Sequence, residues 1–234
     1  MPELIAPSLI AAGAILQGVF IRKDAQGRYV AAAVLKALAS AAFVALGLVG
    51  AFVPPRIPAS LLVCLGLLLG MVGDILHALR FIQKKDADVR AAKVREKKLF
   101  TIGALFFAAG HFCYISYLLS LVRHPVPALV VTAAVLAIII WRLSKSVHER
   151  SLFALAGAAY IAVVGLAAGF AAAACLSMPS LQQALFAAGG ISFLVSDTLL
   201  VLNSFGERHT QVRRTWSLVL YYAAQTLIAL SIWP

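Results

Sequence analysis

Asp74 and Asp197 stand inside long apolar runs, whereas the other seven acidic residues fall between such runs or at the N-terminus. A carboxylate at membrane depth is costly, so each of the two is read as functional by default. Brought close together in a low-dielectric interior, two carboxyl groups cannot both ionise cheaply and instead share a proton. One then acts as an acid while the other activates water or stabilises a developing cation, as carboxylate pairs do in glycosidases and aspartic proteases. Further polar residues fall at compatible depths: Lys36, His111, Ser192, Ser196, Tyr222 and Gln225, with His77 one turn beyond Asp74. Lys36 would hold one carboxylate ionised, bind an anionic headgroup, or snorkel to the interface. His77 is equally readable as an interfacial residue, and His111 as a hydrogen bond to a neighbouring helix. Serine hydrolysis is disfavoured, because no Gly-x-Ser-x-Gly motif is present. A three-histidine metal site lacks its ligands, and Cys64, Cys113 and Cys175 show no ligand spacing, so neither metal nor cofactor is expected.

The elements that must position these residues follow from composition. The chain has 234 residues, 62% of them hydrophobic and only 12% charged. Such a chain matches lipid rather than water as its solvent. Eight runs are long enough to cross a bilayer, at about 4–20, 29–53, 57–80, 99–122, 126–142, 152–176, 180–203 and 215–233. The expected fold is all-α, a polytopic membrane protein of eight transmembrane helices forming one domain over residues 1–234. Backbone groups in hydrocarbon must be satisfied within the span, and the runs lack the alternation of a membrane barrel. The opening Met-Pro-Glu offers no basic region, so the first run is expected to be a retained helix.

The net charge of +11 reports topology. Lys and Arg number 3, 8, 3 and 3 in the connections after spans one, three, five and seven, whereas Arg56 and Arg123 alone occupy the others. The positive-inside rule places the basic connections in the cytoplasm and both termini outside. The stretch 83–98 reads as a solvated connection, loop or helix, attracted to anionic lipid. It has no interleaved aromatics for stacking nucleic acid, and no obligate protein partner is expected.

Asp74 lies six residues before Arg80, and Asp197 six before Asn203. At 1.5 Å per residue each would sit about 9 Å from the cytoplasmic end of its helix. Gly73-Asp74-Ile75-Leu76 echoes Ser196-Asp197-Thr198-Leu199, and Phe106-Phe107-Ala108-Ala109 echoes Tyr221-Tyr222-Ala223-Ala224. An offset of four helices would make the halves parallel 4+4 repeats about an axis along the membrane normal. Gly66-x-x-x-Gly70 reads as a close-packing face.

The chain resembles the YhhN-like lysoplasmalogenase family. The strings that carry the resemblance are Val72-Gly73-Asp74, Phe107-Ala108-Ala109-Gly110-His111-Phe112-Cys113-Tyr114, Phe193-Leu194-Val195-Ser196-Asp197-Thr198-Leu199 and Tyr221-Tyr222-Ala223-Ala224-Gln225-Thr226-Leu227-Ile228, with Lys36 in the second span. The 83–98 connection is longer than this resemblance leads one to expect. What the resemblance implies is hydrolysis of the vinyl-ether bond of lysoplasmalogens. Asp74 and Asp197 would then be catalytic, and Lys36, His111, Ser196, Tyr222 and Gln225 would bind substrate. The partners would be a lysophospholipid substrate and membrane lipids, and the alanine-rich composition points to a bacterial inner membrane. A proton-coupled transporter and an intramembrane aspartyl protease are the rival readings.

Overall fold

Apolar runs long enough to cross a bilayer fold as helices because helical hydrogen bonding leaves no backbone group for lipid to satisfy. The computed structural model describes residues 2–53, 60–82, 89–146, 152–206 and 209–234. Among them are eight helices: α1 (Pro2–Ala25), α2 (Tyr29–Phe52), α3 (Ser60–Ile82), α4 (Val89–Leu119), α5 (Pro125–Ser146), α6 (Leu152–Ser177), α7 (Leu181–Phe205) and α8 (Gln211–Leu230). The protein is all-α, and seven of these helices are long and apolar enough to cross a membrane. It is an integral membrane protein. The helix outside that seven is α8, which carries Arg213, Arg214, Ser217, Tyr221, Tyr222 and Gln225. Ser217, both tyrosines and Gln225 are buried, turned toward protein rather than lipid.

Two refinements of the sequence reading have physical causes. The 83–98 connection is helical from Val89 onward, as the beginning of α4. Its residues Val89–Lys98 are mostly Ala, Arg, Lys and Glu with no Gly or Pro, so they sustain a helix in water that hydropathy cannot register. Residues 83–88 of that connection, Arg56 and Arg208 lie outside the described residues. Secondly, α1 runs to Ala25, so Asp24 is a buried helical residue rather than part of a loop.

Neighbouring helices pack in sequence: α1 on α2, α2 on α3 and α3 on α4, then α5 on α6, α6 on α7 and α7 on α8. The halves are joined chiefly by α4 on α6 and α2 on α8, with smaller contacts of α1 and α3 on α8. Close approach of α3 and α4 depends on Gly66 and Gly110. A Cβ at Gly66 would fall 2.2 Å from Tyr114 Cε1 and 2.9 Å from the Gly110 carbonyl oxygen. One end of the bundle is tied by Arg214, whose Nε and Nη2 donate to the two Asp24 carboxylate oxygens at 2.7 and 2.8 Å. The other is tied by Trp233 Nε1, which donates to the Leu46 carbonyl at 3.0 Å.

Candidate active site

The end of the bundle that carries Asp24, Arg80 and Arg214 encloses a cavity of about 370 Å³, into which both Asp74 and Asp197 project. Seven helices contribute to its wall, and α5 does not. The two carboxyls are both buried, with Asp74 1% and Asp197 5% exposed.

Their surroundings differ. Asp74 Oδ1 lies 2.9 Å from Lys36 Nζ. Asp74 Oδ2 accepts from Ser40 Oγ at 2.6 Å and from the Tyr221 hydroxyl at 2.7 Å. Lys36 and Ser40 lie one turn apart on α2, which lets one helix face supply both groups. Asp197 Oδ2 accepts from the Tyr160 hydroxyl of α6. No hydrogen bond joins the two carboxyls directly among the described residues. In each case a residue of the preceding helix meets the aspartate: Lys36 of α2 for Asp74, Tyr160 of α6 for Asp197.

The other expected site residues divide into lining and support. Lys36, Ser196 and His77 line the cavity. Ser196 Oγ donates to the Ser217 carbonyl at 2.8 Å, and Ser217 Oγ donates back to the Ser196 carbonyl at 3.0 Å. That reciprocal pair fastens α7 to α8 beside Asp197. His77 Nε2 donates to the Phe100 carbonyl at 3.2 Å, with its ring stacked on Phe100. Tyr222, Gln225, His111 and Ser192 lie outside the lining. The Tyr222 hydroxyl donates to the Lys36 carbonyl at 3.3 Å. Gln225 Nε2 donates to the Tyr221 hydroxyl at 3.2 Å, while its Oε1 accepts from Tyr114 at 3.1 Å. Gln225 therefore acts on Asp74 through Tyr221. His111 Nδ1 donates to the Phe107 carbonyl one turn earlier at 2.8 Å, and its ring meets Phe193 edge-on.

Tyr160, Tyr221 and Ser40 are the site residues that sequence reasoning passes over. Tyr160 is signalled only by its hydroxyl in an Ala- and Gly-rich run, and Tyr221 by its place beside Tyr222.

Part of the cavity lining is exposed. Leu105 of α4, 63% exposed, borders it, as do the exposed Ala156 and Ala159 of α6. These exposed residues of α4 and α6 place part of the cavity wall at the outer surface of the bundle.

A family model of the YhhN family matches residues 30–232. The chain belongs to the YhhN family. The YhhN match spans Lys36, Asp74, Tyr160, Asp197 and Tyr221, so both carboxyls and their partners fall within it. Asp24 and the whole of α1 precede the YhhN match, although Asp24 borders the cavity. No curated protein and no solved structure matches the chain.

Proposed function

We propose that this YhhN-family chain hydrolyses the vinyl-ether bond of lysoplasmalogens, giving a fatty aldehyde and a glycerophospho-alcohol such as glycerophosphoethanolamine or glycerophosphocholine. The observation that carries the reading is the unequal setting of two carboxyls on one cavity. Asp74 faces an ammonium and two hydroxyl donors, and Asp197 a single phenol. A carboxyl held by an ammonium and hydroxyl donors is kept as an anion, whereas one without a cation is least costly in its neutral form. Asp197 is therefore assigned as the acid and Asp74 as the resident anion.

An enol ether hydrolyses by protonation of its β-carbon. Asp197 delivers that proton, and the positive charge that develops on the oxocarbenium carbon is stabilised by the Asp74 carboxylate. Water adds to this carbon and gives a proton to the Asp197 carboxylate, which restores the acid. The resulting hemiacetal collapses to aldehyde as Asp197 protonates the departing glycerol oxygen. The hemiacetal hydroxyl proton passes to the Asp197 carboxylate as the carbonyl forms, so the cycle consumes one water and leaves both carboxyls as they began. In this reading the lipid tail enters past the exposed lining residues of α4 and α6. In this reading α8 is the eighth span, the basic connections are cytoplasmic, and the cavity opens to the cytoplasmic leaflet of a bacterial inner membrane.

Purified protein incubated with a lysoplasmalogen should release free aldehyde, carrying a deuterium next to the carbonyl when the reaction runs in heavy water. Asp197→Asn should lower turnover by about 10²–10⁴-fold. A silent assay with folded protein, or aldehyde release undiminished in both Asp74→Asn and Asp197→Asn, would sink the proposal. The transporter reading draws on one observation, the matching helix packings of the two halves (α2 on α8, α6 on α4), which suit a duplicated scaffold. Proton-driven uptake into liposomes without aldehyde release would favour it.

A further inference from the structure

Three Lys or Arg side chains line the cavity, namely Lys36, Arg80 and Arg214. Two are already neutralised by carboxylates, Lys36 by Asp74 and Arg214 by Asp24. Arg80, in the last turn of α3, has no such carboxylate partner among the described residues. Its Nε is buried with no hydrogen-bond partner among the described residues. The like charge of Arg214 and the carboxylates of Glu96 and Asp24 act on it through space. Its guanidinium stacks against two rings, 4.5 Å from the Phe81 centroid and 4.9 Å from that of Phe100. Stacking fixes the plane of the guanidinium and leaves its N–H edge for an acceptor, the arrangement in which arginine receives a planar or tetrahedral oxyanion. A buried donor left unmade costs free energy, so the site is poised for a ligand that supplies the acceptor.

We propose that Arg80 anchors a phosphate at the mouth of the cavity, and that this phosphate is the headgroup ester of a single-chain phospholipid. Along α3, Arg80 lies six residues from Asp74, about 9 Å at helical rise. A glycerol bridging a vinyl ether and a phosphate has comparable reach, so an anchored phosphate would hold the ether beside the carboxyls. The identity of the lipid rests on the hydrolase reading above; the phosphate subsite rests on Arg80 itself. Lys36, expected from the sequence to favour phosphate, is left to hold Asp74.

The test is binding rather than turnover. Protein in nanodiscs is titrated with 1-O-alkyl-glycerophosphoethanolamine, whose saturated ether resists this hydrolysis, and separately with the phosphate-free 1-O-alkylglycerol. Inorganic phosphate serves as competitor. Wild type should bind the phospholipid more tightly. Arg80→Gln should weaken that binding on the order of tenfold to a hundredfold and leave the alkylglycerol unchanged, with Arg80→Lys falling between. Equal phospholipid binding by wild type and either folded variant overturns the proposal. Equal loss on both lipids does so too, because it marks a structural role. Inorganic phosphate competing as well as the phospholipid would assign the site to the free ion and overturn the lipid part. Aldehyde release plays no part in these readings, so failure of the catalytic proposal would be seen separately.

Discussion

Lys36 and Asp74 form an ion pair between α2 and α3, Nζ to Oδ1 2.9 Å, with side chains 10% and 1% exposed. Removing one member of a buried pair strands the other charge, at a cost of about 3–5 kcal/mol, whereas removing both is far milder. Lys36→Met should therefore lower the melting temperature strongly, and the Lys36→Met, Asp74→Asn double variant should recover most of the loss while releasing no aldehyde. Thermal unfolding of the three variants measures the coupling. Additive losses would show that the two side chains do not act as a pair.

The Tyr160 hydroxyl donates to Asp197 Oδ2. In the proposed reaction the phenol engages Oδ2, which leaves the acid's proton to Oδ1 and holds the carboxyl in one orientation. Tyr160→Phe keeps the ring and removes the donor. Its turnover number should fall on the order of tenfold to a hundredfold with KM little changed, because the phenol acts on the acid rather than on the lipid. A rise in KM alone would move Tyr160 from positioning the acid to binding substrate.

How much of this was legible in the sequence depends on what lipid penalises. Apolar runs mark the helices because hydrocarbon admits little else, and Asp74 and Asp197 stand out because carboxylates are costly there. The polar first turns of α4 leave no such trace, since water tolerates them as helix or loop. Hydroxyls are inexpensive at membrane depth, so Ser40 and Tyr160 look like ordinary packing residues. Tyr221 and Tyr222 show a sharper limit. Adjacent helical residues point about 100° apart, and only the packed rotation of α8 turns Tyr221 to Asp74 and Tyr222 to the Lys36 backbone. Lys36 was legible as a residue with several destinations, and its partner follows from α2 lying against α3.

Gly66, read from the sequence as part of a packing face, meets Tyr114 and the Gly110 backbone. Both neighbours belong to α4, and a carbonyl oxygen cannot swing aside as a side chain would. Gly66→Val should destabilise the fold by about 1–3 kcal/mol through overpacking. Gly18 of α1 has nothing within 4 Å of a built Cβ, so Gly18→Ala should be neutral or slightly stabilising. Thermal unfolding in the same detergent compares the two, and equal melting temperatures would remove the close-packing role of Gly66.

Gly157 tests the lateral route. It lines the cavity on α6, beside Ala156 and Ala159, and a Cβ there would meet nothing within 4 Å. A larger side chain at this position therefore enters open space and should leave the melting temperature nearly unchanged. If the lipid tail passes between α4 and α6, Gly157→Leu obstructs the tail and not the headgroup. The loss in kcat/KM should then grow with alkenyl chain length and be smallest for short-chain substrates. A loss equal at all chain lengths would place the obstruction at the reacting bond, and no loss at any length would send the tail by another path.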